Sequence, residues 1–342
     1  NPCPCISRLH MVKKVFPIAV VILSAVIALL DLTNFGIPPT HDGEYHVLRF
    51  LQFYKVLSEG NLYPRWAPDF NNGFGIPLFN YVYPLPNYVA TLFHALGFGF
   101  IDSLKLNMAA ATIAGSIFMY LWAKKYWGEW GGIVSSVFYT FSPYHFLDIY
   151  VRGSVGEVWG LGLAPAFLWS YFSYSESRRK VYLVLSTIFL ALLVLAHNIL
   201  ALVFFAFFIF YTSYLIFNTK EKKVLITDAL LICISGLGLS SPFWLPALFE
   251  ANFVQGLQIA PPRDHFPKLY QLIYSSWGYG FSGPNVPDQM SFQIGIANLL
   301  ALLGSLIALF VSKHKKILTF FIITFMVTVF LITPFSLWFW EN

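Results

Sequence analysis

The chain has 342 residues, of which 57% are hydrophobic, 19% aromatic and only 11% charged, and its mean hydropathy is +0.65. A soluble domain carries about 25% charged residues, so the 21 Lys+Arg and 16 Asp+Glu here cannot coat a water-facing surface of this size. That excludes a disordered chain, a disulfide-rich secreted module and a plain cytosolic enzyme, and leaves an integral membrane protein of many spans.

Residues 1–10 read as a leader or remnant ahead of Met11-Val12-Lys13-Lys14, a usual opening for a membrane protein. Cys3, Cys5 and Cys233 form no paired framework. Apolar runs of roughly 20 residues can cross about 30 Å of hydrocarbon as a helix. Such runs lie near 15–35, 105–123, 130–147, 156–174, 181–197, 199–217, 224–245, 292–311 and 317–336. A tenth stretch, 78–100, holds Pro84, Pro86, Asn87 and His94.

The basic clusters decide how that stretch is read. They are Lys13-Lys14, Lys124-Lys125, Arg178-Arg179-Lys180, Lys220 with Lys222-Lys223, and Lys313 with Lys315-Lys316. If 78–100 stays at the outer interface, every cluster falls on one side; if it crosses, the first lies opposite the rest. The expectation is therefore an all-α polytopic transmembrane bundle of about nine spans with the N-terminus inside. A long first extracytoplasmic loop would carry interfacial helices. The chain stops at Trp340-Glu341-Asn342, just past an apolar run, so residues 11–342 read as a transmembrane domain truncated at its C-terminus. The net charge of +5 is a topology signal and does not point to a nucleic-acid partner.

This topology puts two long loops outside, about 36–104 and 246–291, with shorter outer elements at Ser142–Glu157 and His197-Asn198. The polar residues with chemical potential gather there: His41, Asp42, Glu44, His46, Arg49, Arg65, Asp69, Asp148, Arg152, Glu157, His197, Arg263 and His265. Pro38-Pro39 ends the first span, and Thr40 or Asp42 can cap a helix over about 43–58. Its Val47, Phe50, Leu51, Tyr54 and Leu57 recur at helical spacing, as an interfacial helix requires. Asp42 and Glu44 together offer a general base with an electrostatic or metal-binding partner; the bland alternative is a capping Asp42. Arg65 suits a phosphate, or equally a lipid headgroup, and Trp66, Tyr81 and Tyr83 read as interfacial anchors.

Asp148 and Arg152, four apart, would pair on a helix, and Glu157 opens the next span. Ionisable groups at such depth usually face a cavity, a structural ion pair being the alternative. His197 is either a satisfied turn residue or part of a site. In the second loop Arg263, His265 or Lys268 can meet an anionic group, or the loop is simply solvated. No phosphate loop, zinc cluster or nucleophile elbow is present in the sequence.

In order along the chain stand His-Asp-Gly-Glu-Tyr-His at 41–46, Tyr-Pro-Arg-Trp at 63–66 and Gly-Phe-Gly-Ile-Pro-Leu-Phe-Asn-Tyr at 73–81. Tyr-Pro-Leu-Pro at 83–86, Ser-Pro-Tyr-His at 142–145, Asp-x-x-x-Arg-Gly at 148–153 and Ala-His-Asn at 196–198 follow. The Asp-x-Glu after the first span resembles the GT-C superfamily of polytopic glycosyltransferases. The ordered set resembles prokaryotic membrane proteins labelled as a "6-pyruvoyl-tetrahydropterin synthase-related" membrane domain, a label that does not imply pterin chemistry.

The resemblance implies transfer of a sugar from a polyprenyl-phosphate donor at the extracytoplasmic face of the cell membrane to a glycan, lipid or protein acceptor. By it, Asp42 is the base, Glu44 its acidic partner and Asp148 the second-loop acid. Arg152 and Arg65 are candidates for the donor phosphate. His41, His46, Glu157, His197, Arg263 and His265 complete the expected substrate-binding set. Some superfamily members use a divalent cation (Mg or Mn), which Asp42, Glu44 and Asp148 would hold here. The competing readings are a transporter or lipid flippase, and a non-catalytic membrane assembly subunit.

Overall fold

The computed structural model describes residues 4–255, 266–280 and 288–341, with side chains from residue 15 onward. Among these the chain is helical, with no strand beyond one isolated bridge between Ala67 and Ile76. Helix α1 spans Pro4–Ala28 and passes through a 3-10 turn, Leu30–Thr33, into Pro38-Pro39, whose fixed φ and missing donors keep the chain extended up to α2, Gly43–Ser58. Helix α2 buries His46, Phe50 and Phe53, spaced as one helical face, while Tyr45, Leu48 and Leu51 stay exposed. The buried stripe is thus rotated from the one the apolar pattern alone indicates, because His46 and Gln52 turn inward and Leu51 outward. Asn71 and Asn72 adopt left-handed φ of 54° and 55° ahead of Gly73, the tight turn that the Gly/Asn cluster calls for.

Helix α3, Leu85–Ala95, is too short to cross a bilayer, at roughly 16 Å for 11 residues. The run α4, Phe100–Thr140, is broken at Gly128, where φ 68° and ψ −167° reverse the chain. Its arms lie against each other. Ser136 Oγ donates to the Ser116 carbonyl at 2.7 Å, and the Ser116 and Thr140 hydroxyls meet at 2.6 Å, contacts impossible along one straight helix. Short α5, Pro143–Leu147, leads into a π-helical turn, Asp148–Arg152. Then follow α6 (Val155–Ser177), α7 (Lys180–Ala196), α8 (Asn198–Asn218) and α9 (Lys222–Glu250). Helices α10 (Leu269–Ile273), α11 (Ile296–Val311), α12 (Lys315–Leu331) and α13 (Leu337–Glu341) close the described chain.

By length and composition three helical segments can cross a membrane: Phe100–Arg152, Asn198–Asn218 and Lys222–Phe253. The pair Lys315–Leu331 and Pro334–Glu341, bent by 81°, makes a fourth if taken as one span. Val15–Ala28, Lys180–Ala196 and Ile296–Val311 are apolar but shorter.

Helix α6 is the centre of the bundle, packed between α4 and α7. Lipid chains are as apolar as leucine, so helices in a membrane gain by close backbone approach more than by escape from water. A Cβ on Gly162 would lie 2.7 Å from the Ala111 carbonyl oxygen, which is why the α4–α6 crossing needs glycine there. A second layer of Phe167, Tyr171, Leu190, Phe204, Phe208 and Tyr211 joins α6, α7 and α8.

The two ends of α6, 23 residues and roughly 33 Å apart, differ in chemistry. At its C-terminal end the basic clusters meet acids: Lys125 with Glu176 at 3.2 Å, Arg178 with Glu221 at 3.0 Å and Lys124 with Glu129 at 2.6 Å. Lys316 joins them by donating to Asn218 at 3.2 Å. Its N-terminal end carries the candidate site.

Candidate functional site

The site begins with backbone geometry. The π-helical turn Asp148–Arg152 ends at Gly153, whose φ of +69° few side chains tolerate. A Cβ there would also sit 2.3 Å from Thr40 Oγ1, so the first loop rests directly on this glycine. The seat is fixed by two backbone bonds, His41 N–H to the Val151 carbonyl and Asp42 N–H to the Arg152 carbonyl, both 2.9 Å. Thr40 Oγ1 accepts from Gly43 N–H at 3.1 Å. Asp42 occupies the N-cap position of α2, yet its side chain makes no capping bond. The capping explanation for this half-buried carboxylate therefore fails.

Beside it lies an ionic cluster. Arg152 donates to Asp148 Oδ1 at 2.9 Å and to both oxygens of Glu157, at 2.7 and 2.5 Å. Tyr144 accepts from Arg152 at 3.1 Å and donates to Glu157, and Ser154 Oγ donates to Glu157 at 3.3 Å. Asp148 is wholly buried, and its Oδ2 has no hydrogen-bond partner. Two carboxylates face one guanidinium, so the cluster is not a cationic pocket. His197 Nε2 stands 3.7 Å from Glu157 Oε1, while its Nδ1 accepts the Leu200 N–H at 3.1 Å. That bond caps α8 and puts the neutral ring's proton on Nε2, facing the acid.

Tyr83 links the two halves. Its ring lies 5.0 Å from that of His197, and a Cβ on Gly156 would fall 2.2 Å from it. Burial pushes its hydroxyl up to about 12, while Arg49 opposes the rise and the Glu157 and Asp42 carboxylates add to it. Asp42, Arg49 and Glu157 thus all act on one phenol. Sequence pattern reads Tyr83 as an anchor at the membrane surface; the glycine opposite it, Gly156, is the signal for close packing instead.

The other candidates are dispersed. Glu44, two residues past Asp42 and so about 200° round the helix, is exposed. His46 is buried and held down to about 3 by burial and then by Arg49, so it is neutral; its Nε2 has no partner. His41 Nε2 donates to the Tyr279 carbonyl at 2.7 Å, tying the second loop to the first. Arg65 stands in a separate group with Glu250 at 2.6 Å and Asn80 at 2.5 Å, while Tyr81 donates to the Glu250 carbonyl at 2.8 Å. Glu250 escapes sequence reasoning because its partner is 185 residues away. Arg263 and His265 lie outside the described residues. Among the described residues no three His, Cys, Asp or Glu come together as a metal-binding group. Asp42, Glu44 and Asp148 therefore do not fit the expected Mg or Mn.

A cavity of about 600 Å³ opens at Arg152 and Tyr144, walled by Leu272, Phe292, Leu331 and Trp340. A second groove of about 470 Å³ runs between α8 and α12 from Lys316, and it shares Leu331, Ile332 and Trp340 with the first.

Apolar helices long enough to cross a membrane, and a buried ionic cluster at one end of the central helix α6, point to a helical membrane protein. The chain belongs to the 6-pyruvoyl-tetrahydropterin synthase related domain family of membrane proteins, whose model matches residues 79–340. The matched stretch takes in Tyr83, the π-helical turn and His197, but leaves Asp42 and Arg49 outside. No curated protein matches the chain.

Proposed function

We propose that this is a membrane glycosyltransferase that moves a sugar from a polyprenyl-phosphate carrier to an extracytoplasmic acceptor. The observation that carries the reading is the backbone docking of Asp42 onto Arg152, beside Thr40 on Gly153, which joins residues 110 positions apart at the end of the bundle that holds the Arg152–Glu157–His197 cluster. In the proposed step the Asp42 carboxylate takes the proton of the acceptor hydroxyl as its oxygen bonds to the anomeric carbon. The bond from that carbon to the phosphate oxygen breaks, and the lipid phosphate departs as an anion with inversion at carbon. Glu157, locked by Arg152, Tyr144 and Ser154, orients the site and does not carry the proton. The groove between α8 and α12 suits the carrier's isoprenoid chain, since it is apolar and continuous with the cavity at Arg152.

In this reading the chain crosses nine times with the N-terminus inside. Helix α2 lies in the outer interface with Tyr45, Leu48 and Leu51 toward lipid, and the basic end of α6 faces the cytosol. Asp42→Asn is the test: sugar transfer from a polyprenyl-phosphate sugar should vanish while the purified protein unfolds at the same temperature. Undiminished transfer in that variant removes Asp42 from the mechanism.

A further inference from the structure

Three arginines stand near the site end of the bundle among the described residues, and two are already satisfied. Arg65 is held by Glu250 and Asn80, and Arg152 by Glu157 and Asp148. Arg49 has no carboxylate and no hydrogen-bond partner among the described residues, and its Nε is buried without one. Its only ring contact among the described residues is with Tyr45, one turn back, at 5.9 Å from the guanidinium carbon.

Placement argues that this unpaired charge belongs to the site. Arg49 follows Asp42 by seven residues, two turns and about 10 Å along the same face of α2. Side chains on a helix lean toward its N-terminus, and the contact with Tyr45 shows that Arg49 does so, toward the end of α2 that Asp42 opens. Its positive charge opposes the rise of the Tyr83 hydroxyl's pKa, against burial and the Glu157 and Asp42 carboxylates. A half-buried guanidinium with no counter-charge destabilises a fold unless an oxyanion completes it, and its planar fork matches phosphate oxygens.

We infer that Arg49 is the receptor for a phosphate oxyanion: the unpaired guanidinium on the Asp42 face of α2 takes the phosphate of the substrate, a task the carboxylate-bound Arg152 and Arg65 cannot perform. The inference rests on the reading of this site as one that handles a lipid-linked phosphate. Held there, the phosphate meets a guanidinium that steadies the negative charge growing on the departing oxygen.

The experiment is saturation binding of the full chain in nanodiscs, with polyprenyl phosphate in the bilayer as one probe and inorganic phosphate in solution as the other. Arg49→Gln should weaken polyprenyl-phosphate binding about tenfold or more, the worth of a charge-assisted bond, while Arg65→Gln stays within about twofold. Competition by millimolar inorganic phosphate identifies a free-phosphate site; its failure to compete identifies a lipid headgroup site. If Arg49→Gln does not fold, phenylglyoxal labelling of the unaltered protein decides. Polyprenyl phosphate should protect Arg49 from modification, and equal labelling with and without it overturns the inference. Equal affinity in a folded Arg49→Gln variant overturns it as well. Weakened binding with no sugar transfer from any polyprenyl donor would keep the anion receptor and discard the transferase; transfer with an unchanged KM in Arg49→Gln would do the reverse.

Discussion

Glu157 receives Arg152 through both carboxylate oxygens and also accepts from Tyr144 and Ser154. Replacing it by glutamine keeps the shape and removes the charge, leaving Arg152 with Asp148 alone. Breaking one partner out of such a buried pair costs about 3 kcal/mol or more, so Glu157→Gln should lower the unfolding temperature in detergent well beyond Asp42→Asn, whose side chain makes no capping bond. His46 sets a pH dependence of known sign. Burial keeps it neutral when folded, down to about pH 3, whereas it protonates near 6.5 once unfolded. The unfolded chain therefore binds more protons between those values, and stability falls as pH drops from about 6.5 toward 3. His46→Phe should flatten that slope in a melting series across pH, and an unchanged slope would assign it to another group. Asp42, Asp148, Arg152, Glu157 and His197 are legible in sequence because charge is rare in an apolar chain and expensive at depth. Tyr83 and Glu250 are not, since an interfacial tyrosine has an innocuous default and Glu250's partner is distant in sequence; Arg49 stands out as an outer polar residue, but its lack of partners shows only in three dimensions.

At the scale of elements, helix positions follow from apolar runs and their breakers. The stretch 43–58 is helical as its spacing requires, and Gly128 divides the two apolar stretches of α4 where the basic pair Lys124-Lys125 interrupts them. The facing of α2 does not follow, because a buried histidine and glutamine outweigh leucine there once tertiary partners exist. The joint between the first loop and the π-helical turn is a matter of close approach, which no periodicity encodes. Gly153→Val tests that joint. Left-handed backbone costs a branched residue about 1–2 kcal/mol, and the added carbon meets Thr40 Oγ1 at 2.3 Å. The His41 and Asp42 bonds to Val151 and Arg152 should then open, and transfer should fall far more than the modest drop in melting temperature. Loss of stability without loss of transfer would separate the joint from function.

For the whole molecule, the opposition between an ionic site at one end of α6 and basic clusters at the other predicts a sidedness. In a background lacking Cys3, Cys5 and Cys233, a cysteine at exposed Asn61 should react with a membrane-impermeant maleimide in intact cells, and one at exposed Lys223 only after lysis. The reverse pattern would turn the site toward the cytosol and end the proposed reaction. The seat of Thr40 on Gly153 also has a bearing on biogenesis. Asp42 emerges from the ribosome 110 residues before Arg152, on whose carbonyl it docks, a delay of roughly 5–20 s at the usual pace of synthesis. During that interval the first loop waits with its docking partner still unmade, so the joint of Thr40 on Gly153 is assembled late, by helices arriving after the loop they hold.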